Sequence, residues 1–183
     1  MKASLEKFYL ALHPRPVVLI VSRSPEGRVN VMAASWTTPV SEDPPLIAVA
    51  IGEESYTYEI IKKTNEFTVN VPDTRLIEAV WYAGTTSGHE VDKTKVLKLT
   101  FDSSRRVKPP IIRECIAHLE CRVQKSIDAG ESTLFIGEVL EAYANSDILK
   151  GKYIDSRKAR ILQHVGGKVF TSIGALLYPS PRK

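Results

Sequence analysis

Apolar positions along the chain fall into short runs of two kinds, and the runs read mainly as strands. Residues 17–22 (VVLIVS) form an unbroken apolar stretch of strand length, as expected of a buried strand. In residues 28–34 (RVNVMAA), Val29, Val31 and Ala33 alternate with Arg28, Asn30 and Met32, the period of two expected of a strand with one buried face. Pro25, Glu26 and Gly27 lie between these runs and supply turn chemistry, so the pair predicts a β-hairpin. Residues 46–51 (LIAVAI) predict a third strand, started by Pro44 and Pro45, which cannot donate to a ladder. Ser55 is placed to cap a short helix over 56–63 with Ile60 and Ile61 on its apolar side, and residues 67–71 (FTVNV) predict a fourth strand. Asp73 is placed to cap a second helix over 74–82, with Leu76, Ile77 and Val80 apolar and Gly84 as its stop, before a loop TTSGHEVDK. Farther on, residues 115–127 and 133–144 are long strand-like runs joined by turn residues 128–131, a second hairpin. Residues 146–164 read as partly helical and 169–173 as a last short strand. Hairpins with a few short helices, rather than strict βαβ alternation, predict a mainly antiparallel barrel.

Composition narrows the function classes. A chain of 183 residues with 43% hydrophobic content is long enough for one domain, residues 1–183, with a sizeable core. Its 25 basic and 21 acidic residues give a mild excess of +4, spread along the chain apart from Arg105, Arg106 and Lys108 and the terminal Arg182 and Lys183. A nucleic-acid-binding barrel would show a Lys/Arg strip interleaved with aromatic stacking platforms, and the 105–108 cluster has no neighbouring rings, so no nucleic-acid partner is expected. Glu6 and Lys7 interrupt the amino-terminal apolar residues, no cleavable leader is read there, and no run approaches the roughly 18–20 apolar residues of a membrane span. A cytoplasmic protein without membrane contact is expected. Cys115 and Cys121 are six apart in a strand-like stretch, which predicts two buried free thiols on one face, about 20 Å apart and unable to pair. No C-x-x-C or H-E-x-x-H spacing suggests a metal site.

The stretch 28–51 carries the most chemistry. Ala33, Ala34 and Ser35 are small enough to leave main-chain N–H groups open to a ligand carbonyl or phosphate, and Trp36 follows as a flat surface for an aromatic ring. A helix start at Ser55, Tyr56 and Thr57 offers free N–H groups and a favourable dipole to a phosphate. The pattern suits a planar ligand with a phosphate tail.

These residues carry a resemblance. NVMAASW followed by PVSEDPPL is similar to the signature of the flavin reductase-like, FMN-binding split-barrel family that includes the flavoredoxins, and SYTYEII, FTVNVP, SGHEVDK and GESTLFIGEV match it in order. With HPRPVVLIVS, the likeness covers most of residues 13–139. It implies a Greek-key antiparallel split barrel with a few short peripheral helices, a homodimer, and an FMN-dependent oxidoreductase. Such a protein would pass electrons from NAD(P)H or a redox partner protein to free flavin, a small acceptor or another protein. It further implies cofactor contacts from Asn30, Met32, Ala33, Ala34, Ser35 and Trp36, from Ser55, Tyr56 and Thr57, from Ser87, Gly88 and Lys93, and from Ser132, with His164 and Phe170 as late contacts. The lysine is expected to meet phosphate or a ring carbonyl. Taken singly, Trp36 would be an ordinary core or interface aromatic, Ser55 and Thr57 plain helix caps, and Lys93 a solvated charge; the ordered combination gives them meaning.

Two departures stand out. Where the family often reads G-D-H-T, this chain has Gly130-Glu131-Ser132-Thr133, so a hydroxyl replaces an imidazole. Thr94 replaces the aromatic that often follows the lysine. A barrel that keeps the fold but lacks the cofactor, acting as a dimeric interaction module, is the competing expectation. No G-x-G-x-x-G is present for a Rossmann nicotinamide domain, and no catalytic acid or base is assigned.

Overall fold

The computed structural model describes residues 3–173. In chain order the first elements are β1 (Arg15–Pro16), β2 (Val18–Arg23), β3 (Val29–Ala34), β4 (Thr37–Ser41), β5 (Leu46–Gly52), α1 (Tyr56–Thr64) and β6 (Glu66–Val71). Next come α2 (Ile77–Thr85), α3 (Lys93–Val96), β7 (Phe101–Asp102), β8 (Ile111–Ile112), β9 (Ala117–Ala129) and β10 (Ser132–Ala144). The last are β11 (Leu149–Lys150), β12 (Tyr153–Ile154), α4 (Ser156–Ala159), β13 (Leu162–Gly166) and β14 (Val169–Ser172).

One antiparallel sheet dominates, with the order β3-β2-β6-β9-β10-β5-β4. It curls around an inner core containing Val18, Ile20, Val49, Val69, Phe67 and Phe135. Phe67 and Phe135 are fully buried, which contributes roughly 1.5–3 kcal/mol each. An outer core lies against the convex side of β2 and β3, where Val17, Leu19, Val21 and Val31 meet Val80 and Ala83 of α2. β2 is therefore covered on both faces, which is why residues 17–21 are continuously apolar. A smaller sheet, β1-β13-β14, stands beside the large one.

Both expected hairpins form, β2 with β3 and β9 with β10, the second closing tightly as Ala129 pairs with Ser132 across Gly130 at φ +72°. α1 starts where Ser55 predicts, its Oγ accepting from Tyr58 N at 3.1 Å.

Several expectations need correction. β3 has no solvent face, since Asn30 and Ala34 are buried on the side opposite Val31. β4 is an additional strand, masked by Pro39 within it and tolerated because β4 ends the sheet. The second helix begins with a 3-10 turn, Thr74–Leu76, and runs through Gly84 to Thr85. Gly84 is thus no stop signal: a Cβ there would lie 3.3 Å from Ala33 Cβ, so its smallness lets α2 approach β3. The loop after α2 holds a short helix, α3, capped by Asp92. Cys115 precedes β9 and enters the outer core while Cys121 enters the inner one, so the two free thiols do not share a face. Within 146–164 the only helical pieces are Ser146–Ile148 and α4. The expected terminal strand stops at Ser172, and Arg182 and Lys183 lie outside the described residues.

Candidate functional site

β3 is an end strand of the sheet, and three segments crowd its unpaired edge: the start of α1, the end of α2 and the loop leading to α3. At the α1 end, Ser55 spends its hydroxyl oxygen on Tyr58 N, leaving the N–H groups of Tyr56 and Thr57 without helical partners. Thr57 is buried, and its Oγ1 accepts from Asn30 Nδ2 at 2.8 Å, so the Thr57 hydroxyl hydrogen remains to donate elsewhere. Gly88 packs directly on Asn30: a Cβ there would stand 3.0 Å from Asn30 Cγ and 3.2 Å from Nδ2, and closer still to Oδ1. Arg28 donates to the Gly88 carbonyl at 2.6 Å and lies 4.5 Å over the Tyr56 ring, fastening the loop to the helix start. Ser87 turns the loop by accepting from His89 N at 3.2 Å.

Lys93, expected to meet phosphate or a ring carbonyl, is bonded to the main chain. Its side chain is 3% exposed, and Nζ donates to Val31 O at 2.9 Å and to Ala83 O at 2.8 Å, binding the edge of β3 to α2. Burial lowers its pKa to about 8 from the ordinary 10.5, so it remains mainly cationic at neutral pH. An ammonium has three donors, and one is left over after these two carbonyls.

A cavity of about 300 Å³ lies among these segments. Asn30, Met32 and Ala33 line it from β3, Ser55, Tyr56 and Thr57 from α1, and Ser87, Gly88 and Lys93 from the loop and α3. Through Ala33, Gly84 and Thr85 it adjoins a smaller apolar cavity of about 170 Å³ that adds Ser35, His164 and Phe170. That second cavity shares Ser35, His164 and Gly167 with a cleft of about 920 Å³ containing Trp36 and Ser132. The three cavities follow one another along β3 through shared lining residues, and this groove is polar and cationic at the α1 end and aromatic at the other.

Of the sequence-predicted residues, Ala34 alone lines none of these cavities: its side chain packs in the inner core, so it has only main chain to offer. Trp36 is 47% exposed, and Tyr9 lies edge-on to it with ring centres 5.8 Å apart. The sequence reading missed Tyr9, in the 3-10 turn Phe8–Leu12, His13 just after that turn, and Arg15 of β1, which line the large cleft. The pairing of β1 with β13 brings Arg15 there, and neither strand has a local pattern that predicts it. Among the described residues, no group of His, Cys, Asp and Glu could hold a metal ion, and no helix is long and apolar enough to cross a membrane.

The groove fits a phosphorylated planar ligand by its donor set. Two free helix N–H groups, the Thr57 hydroxyl and the Lys93 ammonium gather at one end, while Phe170 and Trp36 offer flat surfaces at the other. Comparison with known proteins agrees. The flavin reductase like domain family matches residues 10–162. An uncharacterised protein of Archaeoglobus fulgidus is 40% identical over 172 residues, which covers 94% of this chain and 96% of its own. The solved flavoredoxin of Desulfovibrio vulgaris (Miyazaki F) superposes with a TM-score of 0.90 at 28% identity, covering 98% of this chain and 97% of its own. An FMN-binding domain of a flavin reductases-like enzyme from Shewanella baltica superposes at 0.80 with 25% identity, covering 90% and 89%. The fold is that of the split-barrel proteins, and the chain belongs to the flavin reductase-like domain family.

Proposed function

We propose that this chain is an FMN-dependent oxidoreductase, a flavin reductase or a flavoredoxin-like electron carrier, acting as a cytoplasmic homodimer. One observation carries the reading: adjoining cavities along β3 gather phosphate donors at the α1 N-terminus and aromatic surfaces at the other end. In this reading the FMN phosphate is held by Tyr56 N–H, Thr57 N–H and the Thr57 hydroxyl, with Asn30 fixing Thr57. The ring system lies against Ala33, Ser35 and Phe170, where Gly84 keeps the wall flat. Lys93 holds the edge of β3 in place and adds positive potential near the phosphate. When bound, FMN supplies two-electron acceptance from a reduced nicotinamide and one- or two-electron delivery to an acceptor.

The chain's own part is to bind, orient and shield. The cleft beside Trp36 is the access route for NAD(P)H or a protein donor and for the acceptor. Ser132 stands in that cleft with a hydroxyl but no imidazole, so it can donate one hydrogen bond without carrying charge. The test is the visible absorbance of the purified protein, followed by denaturation and identification of any released chromophore, with FMN added back if none is found. A flavin spectrum with released or re-bound FMN supports the reading. A colourless protein that ignores added FMN yet remains a dimer refutes it in favour of a cofactor-free interaction module.

A further inference from the structure

The 920 Å³ cleft contains a cation whose surroundings are incomplete. Arg15 of β1 pairs with His164 of β13, and His164 with Phe170 of β14, so these three side chains project from one face of the small sheet. His13, two residues before Arg15, joins that face, its ring centre 5.4 Å from that of His164. Arg15 Nη2 meets His13 Nε2 at 2.7 Å, and the guanidinium lies 5.2 Å from the Trp36 ring centre. His13 Nδ1 contacts the Val165 carbonyl, which can only accept. Nδ1 therefore carries the proton, and Nε2 presents a lone pair to Arg15. Arg15 thus donates to a neutral histidine, which neutralises no charge.

Among the described residues Arg15 forms no ion pair, and its buried Nε has no partner. Burial already lowers its pKa, so the side chain bears a desolvation cost without a counter-ion. A guanidinium fork 5.2 Å from a tryptophan ring centre in an aromatic cleft matches a planar ligand with a carboxylate at its edge. Glu6, Glu54 and Glu131 are exposed residues of the same cleft and outnumber its other cation, the exposed Lys7, so together they repel in proportion to ligand charge, which favours a monoanion over a diphosphate.

Resting on the flavin reading for the neighbouring groove, we infer that Arg15 fixes the carboxylate of an aromatic monocarboxylic acid beside Trp36, with His13 as its positioning residue. The test is calorimetric titration of FMN-loaded protein with benzoate, its neutral isostere benzamide, and ADP. Benzoate is expected to bind at least tenfold more tightly than benzamide and than ADP. In Arg15→Gln that preference over benzamide should vanish while benzamide affinity stays within twofold. Arg15→Lys, which keeps charge without the fork, should retain part of it. His13→Phe keeps a ring but removes the lone pair, and should reduce the benzoate-to-benzamide ratio severalfold with Arg15 present.

Equal binding of benzoate and benzamide to the wild type, or a preference that survives in Arg15→Gln, overturns the proposal. So does an Arg15-dependent preference for ADP, which would make the recognised group a pyrophosphate. An FMN titration of the same samples separates the two claims. Failure to bind FMN with the benzoate preference intact refutes the flavin reading and leaves the anion site supported. FMN binding without the preference does the reverse.

Discussion

Replacing Gly88 with alanine should damage the α1 end of the groove by displacing Asn30. The added methyl would lie 3.0 Å from Asn30 Cγ and 3.2 Å from Nδ2, against optimal carbon separations of about 3.5–4.0 Å. Asn30 is 3% exposed and its amide is committed to Thr57 at 2.8 Å, so it cannot yield without breaking that bond. Overpacking costs about 1–3 kcal/mol and an unsatisfied buried polar pair about 1–3 kcal/mol. The total of roughly 2–6 kcal/mol should lower the melting temperature by about 4–24 °C, at about 2–4 °C per kcal/mol for a chain this long. A displaced Thr57 hydroxyl forfeits one hydrogen bond to a charged phosphate, about 1.5–3 kcal/mol, so FMN should bind about 10–100-fold more weakly. Flavin fluorescence titration and thermal melts read both effects. In an Asn30→Ala background the obstruction is gone, and Gly88→Ala should then cost little, so the coupling should approach the single-variant cost of about 2–6 kcal/mol. An FMN affinity unchanged in Gly88→Ala, or an equal cost in both backgrounds, would refute the reasoning.

Other consequences are separable. Lys93→Met strands the Val31 and Ala83 carbonyls and should destabilise the protein by about 2–4 kcal/mol at neutral pH. Because the folded pKa of Lys93, about 8, lies below the ordinary 10.5, the unfolded chain holds the extra proton between those values. Stability should accordingly rise with pH across that window and be lost as pH falls through about 8, a slope absent from denaturant titrations of Lys93→Met. Gly137→Ala would place a Cβ 2.8 Å from Phe67 Cζ in the inner core, and thermal melts should show a loss of about 1–3 kcal/mol with FMN affinity intact. The buried Glu120 carboxylate accepts from Arg105 N, Arg106 N and Tyr143 Oη; burial and that hydrogen bond raise the Tyr143 pKa, so in Glu120→Gln ultraviolet titration should find the phenol ionising at lower pH.

Local chemistry explains which parts of this molecule could be read from its sequence. The β2–β3 and β9–β10 hairpins were legible because turn residues separate apolar runs, and α1 because Ser55 caps it. Asn30, Thr57, Gly88 and Lys93 were legible as a set through the family resemblance, yet Lys93 illustrates its limit. Sequence order could not show that its ammonium is already engaged by two main-chain carbonyls from β3 and α2. Gly84 misled because a glycine near a helix end resembles a stop, whereas here it admits Ala33. The β1-β13-β14 sheet joins residues nearly the whole chain apart, so Arg15 and His13, though inside the matched stretch HPRPVVLIVS, carried no local sign of the cleft they line.

The most direct test of the central claim compares FMN with riboflavin, which differs only in lacking the phosphate, by titration of the flavin-free protein. If the α1 start, Thr57 and Lys93 form a phosphate site, FMN should bind at least 100-fold more tightly, and Thr57→Val should erode that ratio by weakening FMN alone. Equal affinities for the two flavins, or a ratio unmoved by Thr57→Val, would contradict the placement of the cofactor along β3.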